Sequence, residues 1–132
     1  MKEYMESKFS ILFRHWIKAN PQISGTYEMK DSNGKDYINF SEVTEDQINY
    51  GLSINSNKGT FIRVQAINGG EPDYVYFRNA PAYIVINYPK TFSIISIKTF
   101  ILEKERSKRK SLTEQRASEI SIKTVKKTTT KR

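Results

Sequence analysis

Glu28 and Lys30 are the residues whose types and spacing best suit chemistry in this chain. Two residues separated by one position on a β-strand lie on the same face, with their Cα atoms about 6.6–6.8 Å apart. A carboxylate there can bind Mg²⁺, which prefers oxygen ligands and keeps several waters. The neighbouring ammonium can orient or deprotonate a water and stabilise charge on a phosphate. The pair is therefore compatible with activation of a metal-bound water next to a phosphate, and the alternative interpretation is an exposed salt bridge.

The elements that would position this pair begin with a helix and a strand. Apolar residues at three- and four-residue spacing predict a helix over residues 3–18, and Glu6 lies at the edge of its apolar face. Alternating apolar and polar residues predict a strand over residues 23–30. In this strand Glu28 and Lys30 share the side opposite the apolar residues.

A turn and a second helix follow the strand. Asn33-Gly34 is a strong hairpin signal and leads into a short strand over residues 37–40. Thr44 and Gln47 form a capping box, in which each side chain bonds the other residue's backbone N–H, so a helix is expected from Thr44 to about residue 54.

The rest of the chain alternates strands with helices, so the expected fold class is α/β (α+β), with a mixed sheet flanked by helices. The additional predicted elements are strands over residues 60–67, 74–78, 82–88 and 91–96 and helices over residues 97–109 and 112–120.

The order of these elements resembles the core of the PD-(D/E)xK nuclease superfamily, and within it the Holliday-junction-resolvase branch. The resemblance covers about residues 3–88 and depends on the acidic helix, the Glu-x-Lys strand, the hairpin and the helix that opens with Gln47. It implies that Glu28 is a metal ligand and that Lys30 is the water-orienting base or charge stabiliser. It further implies that Glu6 is an auxiliary acid and that Gln47 supports the site or contacts the phosphate backbone.

The resemblance also implies a function. The protein would have a restriction-endonuclease-like core and would cleave branched or junction DNA with Mg²⁺ or Mn²⁺. A junction enzyme must cut two strands, so a two-fold homodimer is expected by analogy with the family. High Asn, Ile and Lys content is typical of an AT-rich genome such as that of a phage.

One position departs from the family pattern. The family has an aspartate some ten or more residues before the Glu-x-Lys motif, whereas residues 7–27 contain no acidic residue. A ligand at another position would have to complete the metal site. Asp73, just before the strand at residues 74–78, and Glu6 are the two candidates.

The positive charge is concentrated towards the carboxyl terminus. Lys and Arg number 22 against 14 Asp and Glu, and residues 103–132 hold 11 of the cations but only 4 of the acids. We therefore expect a compact domain over residues 1–102 and a basic, helical or disordered extension over residues 103–132, whose removal leaves the core intact. The last ten residues are expected to be solvated. The candidate nucleic-acid-binding residues are Lys108, Arg109, Lys110 and Arg116.

Composition excludes several other classes. The chain has no Cys and one His, so disulfides, thiolate zinc sites and Cys nucleophiles are excluded. No apolar run approaches the roughly 20 residues of a membrane span, and the first residues lack a signal-peptide pattern, so a cytoplasmic location is expected. Two alternatives to a nuclease remain open. One is a non-catalytic nucleic-acid-binding protein on the same fold, and the other is a small basic protein that binds another protein.

Overall fold

A computed structural model of the chain describes residues 8–64 and 73–127 and has a mixed α/β fold, which confirms the predicted fold class. Four helices and eight strands are found in this part of the chain. The helices are α1 (Lys8–Lys18), α2 (Glu45–Asn55), α3 (Ile97–Arg106) and α4 (Glu114–Ile120). The strands are β1 (Thr26–Asp31), β2 (Tyr37–Asn39), β3 (Thr60–Val64), β4 (Asp73–Phe77), β5 (Ala82–Asn87), β6 (Thr91–Ser96), β7 (Ser111–Thr113) and β8 (Lys123–Lys126).

The main sheet has four strands in the order β1-β5-β6-β8. β1 runs parallel to β5, while β6 pairs antiparallel with both β5 and β8. Two smaller sheets pair β2 with β7 and β3 with β4. β1 therefore lies at one edge of the main sheet and β8 at the other.

The main sheet packs helices on both faces because its side chains alternate. Val85 points to the face covered by α1, where Phe9 and Phe13 complete an aromatic cluster. Ile84 and Ile86 point to the opposite face, where α2, α3 and α4 and the β2–β7 pair close the larger core. Successive side chains of β5 point to opposite faces, so its continuous apolar run Ile84–Ile86 serves both cores, as a strand buried on both faces requires.

The predicted hairpin after β1 is wrong, although its turn is present. Asn33 and Gly34 both have positive φ, as the Asn-Gly signal predicts. The strand that follows does not return along β1, because β2 pairs with β7 and β1 pairs with β5. Ile38 is fully buried opposite Leu112 in that pair. Burial of these two side chains thus directs β2 away from β1.

The carboxyl-terminal segment is part of the fold, which corrects the expectation of a separable extension. The boundary expected after residue 102 falls inside α3, and β8 adds a strand to the main sheet. Leu112 and Ala117 are buried in the larger core. The expectation of a solvated tail is wrong for Lys123–Lys126, which form β8.

Other boundaries differ from the expected ones by a few residues. α3 ends at Arg106, and the last helix begins after Thr113, whose side chain accepts a hydrogen bond from the backbone of Arg116. Residues 3–7 of the first predicted helix and residues 65–67 of the 60–67 strand lie outside the described residues. No helix in the described part of the chain is long and apolar enough to cross a membrane.

Candidate functional sites

Glu28 and Lys30 lie together on the α2-facing side of β1, as their spacing predicts. Their neighbours Tyr27 and Met29 pack against the α1 cluster on the other face. Lys30 Nζ is 3.6 Å from Glu28 Oε2, and both side chains are partly buried. The pair is thus an ion pair at the sheet edge that has lost part of its hydration.

Gln47 joins this pair from the first turn of α2. Its Nε2 donates a hydrogen bond to Glu28 Oε2 at 3.0 Å, while its Oε1 accepts from the Thr44 backbone N–H at 2.9 Å. The Thr44 hydroxyl accepts in return from the Gln47 backbone. One amide therefore completes the predicted capping box and also holds the Glu28 carboxylate, because the box fixes its orientation.

The space beside Glu28 is small. A cavity of about 40 Å³ lies between β1, α2 and β5, which is little more than the volume of one water and far below the several hundred Å³ of a typical ligand pocket. No group of three His, Cys, Asp or Glu side chains able to hold a metal occurs among the described residues. Glu6 lies outside them, and so does the side chain of Asp73, whose backbone begins β4.

We expect Thr44→Ala to lower the free energy of unfolding by about 0.5–2 kcal/mol, since it removes the acceptor that caps α2. Denaturant unfolding followed by circular dichroism measures the change. Ser53→Ala on the same helix is the matched control, because that hydroxyl bonds only the Asn49 carbonyl one turn back. Equal midpoints for the two variants would contradict a capping role for Thr44.

A second candidate site is a surface rich in cations that contains the loop after α3. A large groove of about 800 Å³ and a smaller one of about 450 Å³ share Arg109 as a lining residue. We call the seven cations that line them the basic surface. They are Lys90, Lys104, Lys108, Arg109, Lys110, Lys126 and Lys127.

Two carboxylates, Asp36 and Glu114, also line the large groove. Glu114 Oε2 accepts hydrogen bonds from the Lys90 backbone at 3.1 Å and from the Thr91 hydroxyl at 2.8 Å, so this oxygen is already satisfied. Burial lowers the pKa of Lys127, and the nearby charges of Asp31 and Glu114 oppose that shift. Lys127 is thus a partly desolvated cation, which gains more from an anionic partner than a fully hydrated one does.

Arg116, the fourth predicted nucleic-acid-binding residue, lines neither groove of the basic surface. Its guanidinium makes two bonds to Glu103, at 2.8 and 3.0 Å, and a third to Glu119 at 3.0 Å. It lines a different cleft, with Glu103 and Arg106. Because two carboxylates already bind this guanidinium, we exclude Arg116 from the basic surface.

The Glu103–Arg116 contact has a defined pH dependence. Hydrogen bonding from Arg116, followed by the charges of Arg116 and Arg106, lowers the pKa of Glu103 against an opposing effect of burial. The contact therefore stabilises the fold above the unfolded-state pKa of the carboxyl. That stability is lost as the pH falls through the pKa of Glu103 in the folded state, which is lower than its pKa in the unfolded state.

Sequence reasoning named Lys108, Arg109 and Lys110 as binding residues, included Lys104, Lys126 and Lys127 only as part of the basic extension, and missed Lys90. Lys90, Lys126 and Lys127 are distant in the chain from residues 108–110 and join the surface through the pairing of β6 with β8, whereas Lys104 lies in the last turn of α3, next to the loop. Local charge density could have indicated Lys104, four residues before Lys108, and the adjacent pair Lys126 and Lys127, but not Lys90.

The comparisons with known proteins leave both sites to be interpreted from their geometry. No family model, curated protein or solved structure matches the chain. The resemblance to the PD-(D/E)xK nucleases therefore stays a prediction.

Proposed function

We propose that this protein binds nucleic acid through the phosphate backbone, using the basic surface. The observation that supports this most directly is that seven cations from four separate parts of the chain line two grooves that meet at Arg109. Concave surfaces lined by one sign of charge focus the electrostatic field and attract polyanions. Contacts with phosphates depend on the shape of the nucleic acid and carry no direct sequence information. We therefore propose DNA, branched or duplex, as the partner.

The composition of the grooves favours a binding surface over a charged face that only aids solubility. A solubilising face usually mixes both signs of charge, as do the exposed residues around Glu103 and Arg116. No carboxylate lines the smaller groove, and an oxygen of Glu114 in the larger one is occupied by the backbone and a hydroxyl. Within the two grooves, the seven cations of the basic surface therefore outnumber the two carboxylates, Asp36 and Glu114, and both of these line the larger groove.

Binding should depend steeply on salt. We expect labelled four-way junction and linear duplex DNA to bind in EDTA, because contacts between side-chain cations and phosphates do not require a metal. If about six phosphates are neutralised, the slope of log K against log salt should be near −5, from about −0.9 per phosphate. Fluorescence anisotropy between 50 and 200 mM salt measures it. Absence of binding at 50 mM salt, or a slope near zero, would contradict the proposal.

The second candidate function is a metal-dependent endonuclease with a restriction-endonuclease-like core. Its support is the convergence of Glu28, Lys30 and Gln47. The described residues do not by themselves fit Mg²⁺ or Mn²⁺, because Glu28 is a single carboxylate with an ammonium beside it, and Glu6 or Asp73 would have to complete the site. The pairing of β1 with β5 also removes the hairpin on which the resemblance partly depended. A homodimer would accompany this function on junction DNA.

Under this second candidate, Glu28→Ala and Lys30→Ala should each abolish cleavage of junction DNA without unfolding the chain. Both side chains lie on an edge strand and are partly exposed, so the core survives their loss. Gel assays with Mg²⁺, Mn²⁺ or EDTA detect cleavage, and circular dichroism confirms the fold. Glu6→Ala and Asp73→Ala identify the missing ligand, since only one should shift the Mg²⁺ requirement. Wild-type turnover in a folded Glu28→Ala variant would eliminate this candidate.

A further inference from the structure

The ribbon formed by β3 and β4 carries three aromatic rings on one face. Phe61 lies directly opposite Tyr76, and Tyr74 occupies the same face two positions earlier on β4. Their exposed fractions are 66% for Phe61, 64% for Tyr74 and 47% for Tyr76. The Cα atoms of residues two positions apart on a strand are about 6.8 Å apart, and their side chains share a face. The three rings therefore form a row along the ribbon.

This face lacks a covering element in the described part of the chain. Among the side chains described on β3 and β4, Thr60 and Phe77 are half-buried and the others are exposed. An isolated two-stranded ribbon is at best marginally stable in water. A set of large exposed apolar side chains indicates an interaction surface. The ribbon therefore has the features of an element that gains stability when a partner covers its rings.

The ring of Tyr76 is held in position before any partner binds. Its hydroxyl donates a hydrogen bond to the Lys58 carbonyl, and its ring lies close to Gly59. Gly59 has a φ of 76°, and a Cβ there would lie 2.7 Å from the Tyr76 ring and would also clash with the Phe77 carbonyl oxygen. The centroid of the Phe61 ring lies 4.9 Å from the centroid of the Tyr76 ring. Fixed rings lose little conformational entropy on binding.

The charges around the rings favour an anionic partner. Lys58 precedes β3 and Arg78 follows β4, so both lie at the same end of the ribbon, and both are exposed. The side chains described over residues 57–61 and 74–79 include no carboxylate. Aromatic rings flanked by cations are the combination that binds single-stranded nucleic acid, because bases stack on the rings while phosphates contact the cations.

We propose that the aromatic face of the β3–β4 ribbon stacks on unpaired bases of a single-stranded nucleic acid, with Lys58 and Arg78 contacting its phosphates. In a duplex, neighbouring bases cover each other's faces, so this face distinguishes unpaired nucleotides from paired ones. The inference deepens the proposed function and rests on it. The basic surface supplies binding that is indifferent to strand pairing, and the ribbon adds a preference for single strands or unpaired flaps.

The test compares one labelled oligonucleotide, single-stranded and annealed to its complement, by anisotropy at fixed salt. We expect the double variant Phe61→Leu and Tyr74→Leu to weaken single-strand binding at least about 25-fold, since each stacked ring contributes at least about fivefold. Duplex binding and the salt slope should stay unchanged, because no charge is removed. Tyr50→Leu is the control, as it removes a ring with an exposed fraction of 48% on α2, away from the ribbon. Circular dichroism confirms that each variant is folded.

Three outcomes would overturn the inference. Salt-dependent binding of both DNA forms that the double variant leaves unchanged would leave the basic surface in place and reject the ribbon. An equal loss on single strands and duplex would show that the rings do not distinguish pairing. A wild-type dimer that the double variant converts to monomer in sedimentation would assign the face to a second copy of the chain. Failure of the wild-type protein to bind either DNA form would instead reject the proposed function itself.

Discussion

A chain truncated after Leu102 is expected to lose cooperative folding altogether. The cut removes β8 from the main sheet and β7 from its pair with β2, and it shortens α3 by its last turn. It also removes Leu112, which is almost completely buried in the larger core. The net stability of a domain is only about 5–15 kcal/mol, so the loss of two strand pairings and part of the core exceeds it.

Tyr88 shows how closely the removed segment is tied to the sheet. Tyr88 directly follows β5, and its buried hydroxyl donates a 2.9 Å hydrogen bond to the Leu112 carbonyl. Burial raises the pKa of Tyr88, and the charges of Glu114 and Glu42 raise it further. Truncation would leave this buried hydroxyl without its acceptor, and an unpaired buried polar group costs about 1–3 kcal/mol.

Amide NMR dispersion and thermal melting by circular dichroism measure the effect of the truncation. A second truncation after Lys127 is the control, because it keeps all the contacts described above. Leu112→Ala provides a graded intermediate and should cost about 2–5 kcal/mol. A dispersed spectrum and a cooperative melt from the chain that ends at Leu102 would contradict the packing of the carboxyl-terminal segment.

Replacing Lys108, Arg109 and Lys110 together with Ala is expected to weaken DNA binding by about 3.5 orders of magnitude at 50 mM salt, taking equal affinities at 1 M salt as the reference. This estimate assumes one phosphate per residue and a slope of about −0.9 for each, so the total slope should also become shallower by about 2.7. The three residues are exposed on a loop and line the smaller groove, so the fold should tolerate their loss.

Arg116→Ala is the matched control for this prediction. It removes a cation from the same region, but one that is bound by Glu103 and Glu119. We expect its salt slope to equal that of the wild-type protein. Anisotropy titrations at several salt concentrations give the slopes. If Arg116→Ala makes the slope shallower by about 0.9, the same decrease per removed charge as in the triple variant, then long-range charge drives binding, and contact at the basic surface does not.

The features that were predictable from the sequence are the local ones. The capping box at Thr44 and Gln47 depends on residues three positions apart, and the common face of Glu28 and Lys30 depends on residues two apart. Backbone geometry fixes both relations wherever the helix and the strand form. The bond between Gln47 and Glu28 follows from the packing of α2 over β1, and there the expected proximity of the two elements was correct.

Strand partners were not predictable in the same way. The Asn33-Gly34 turn forms as expected, yet the strand after it pairs with β7, a three-residue strand that carries no pattern of its own. Hydrophobic burial of Ile38 against Leu112 decides this pairing, and local sequence does not encode such a distant contact. The basic surface was partly missed for the same reason, since it assembles only when β8 and α3 are in place.

The pairing of β2 with β7 also determines when the chain can fold. More than half of the chain length separates Ile38 from Leu112, and β1 must likewise wait for β5. Contacts this distant in sequence require large loops to close first, which places such folds among the slower ones. On the ribosome, β2 emerges well before β7 exists and stays unpaired while the intervening residues are synthesised. Folding of this domain is therefore a late event in its synthesis. Until β7 is made, Ile38 of β2 stays exposed, and an exposed apolar strand is a binding site for chaperones.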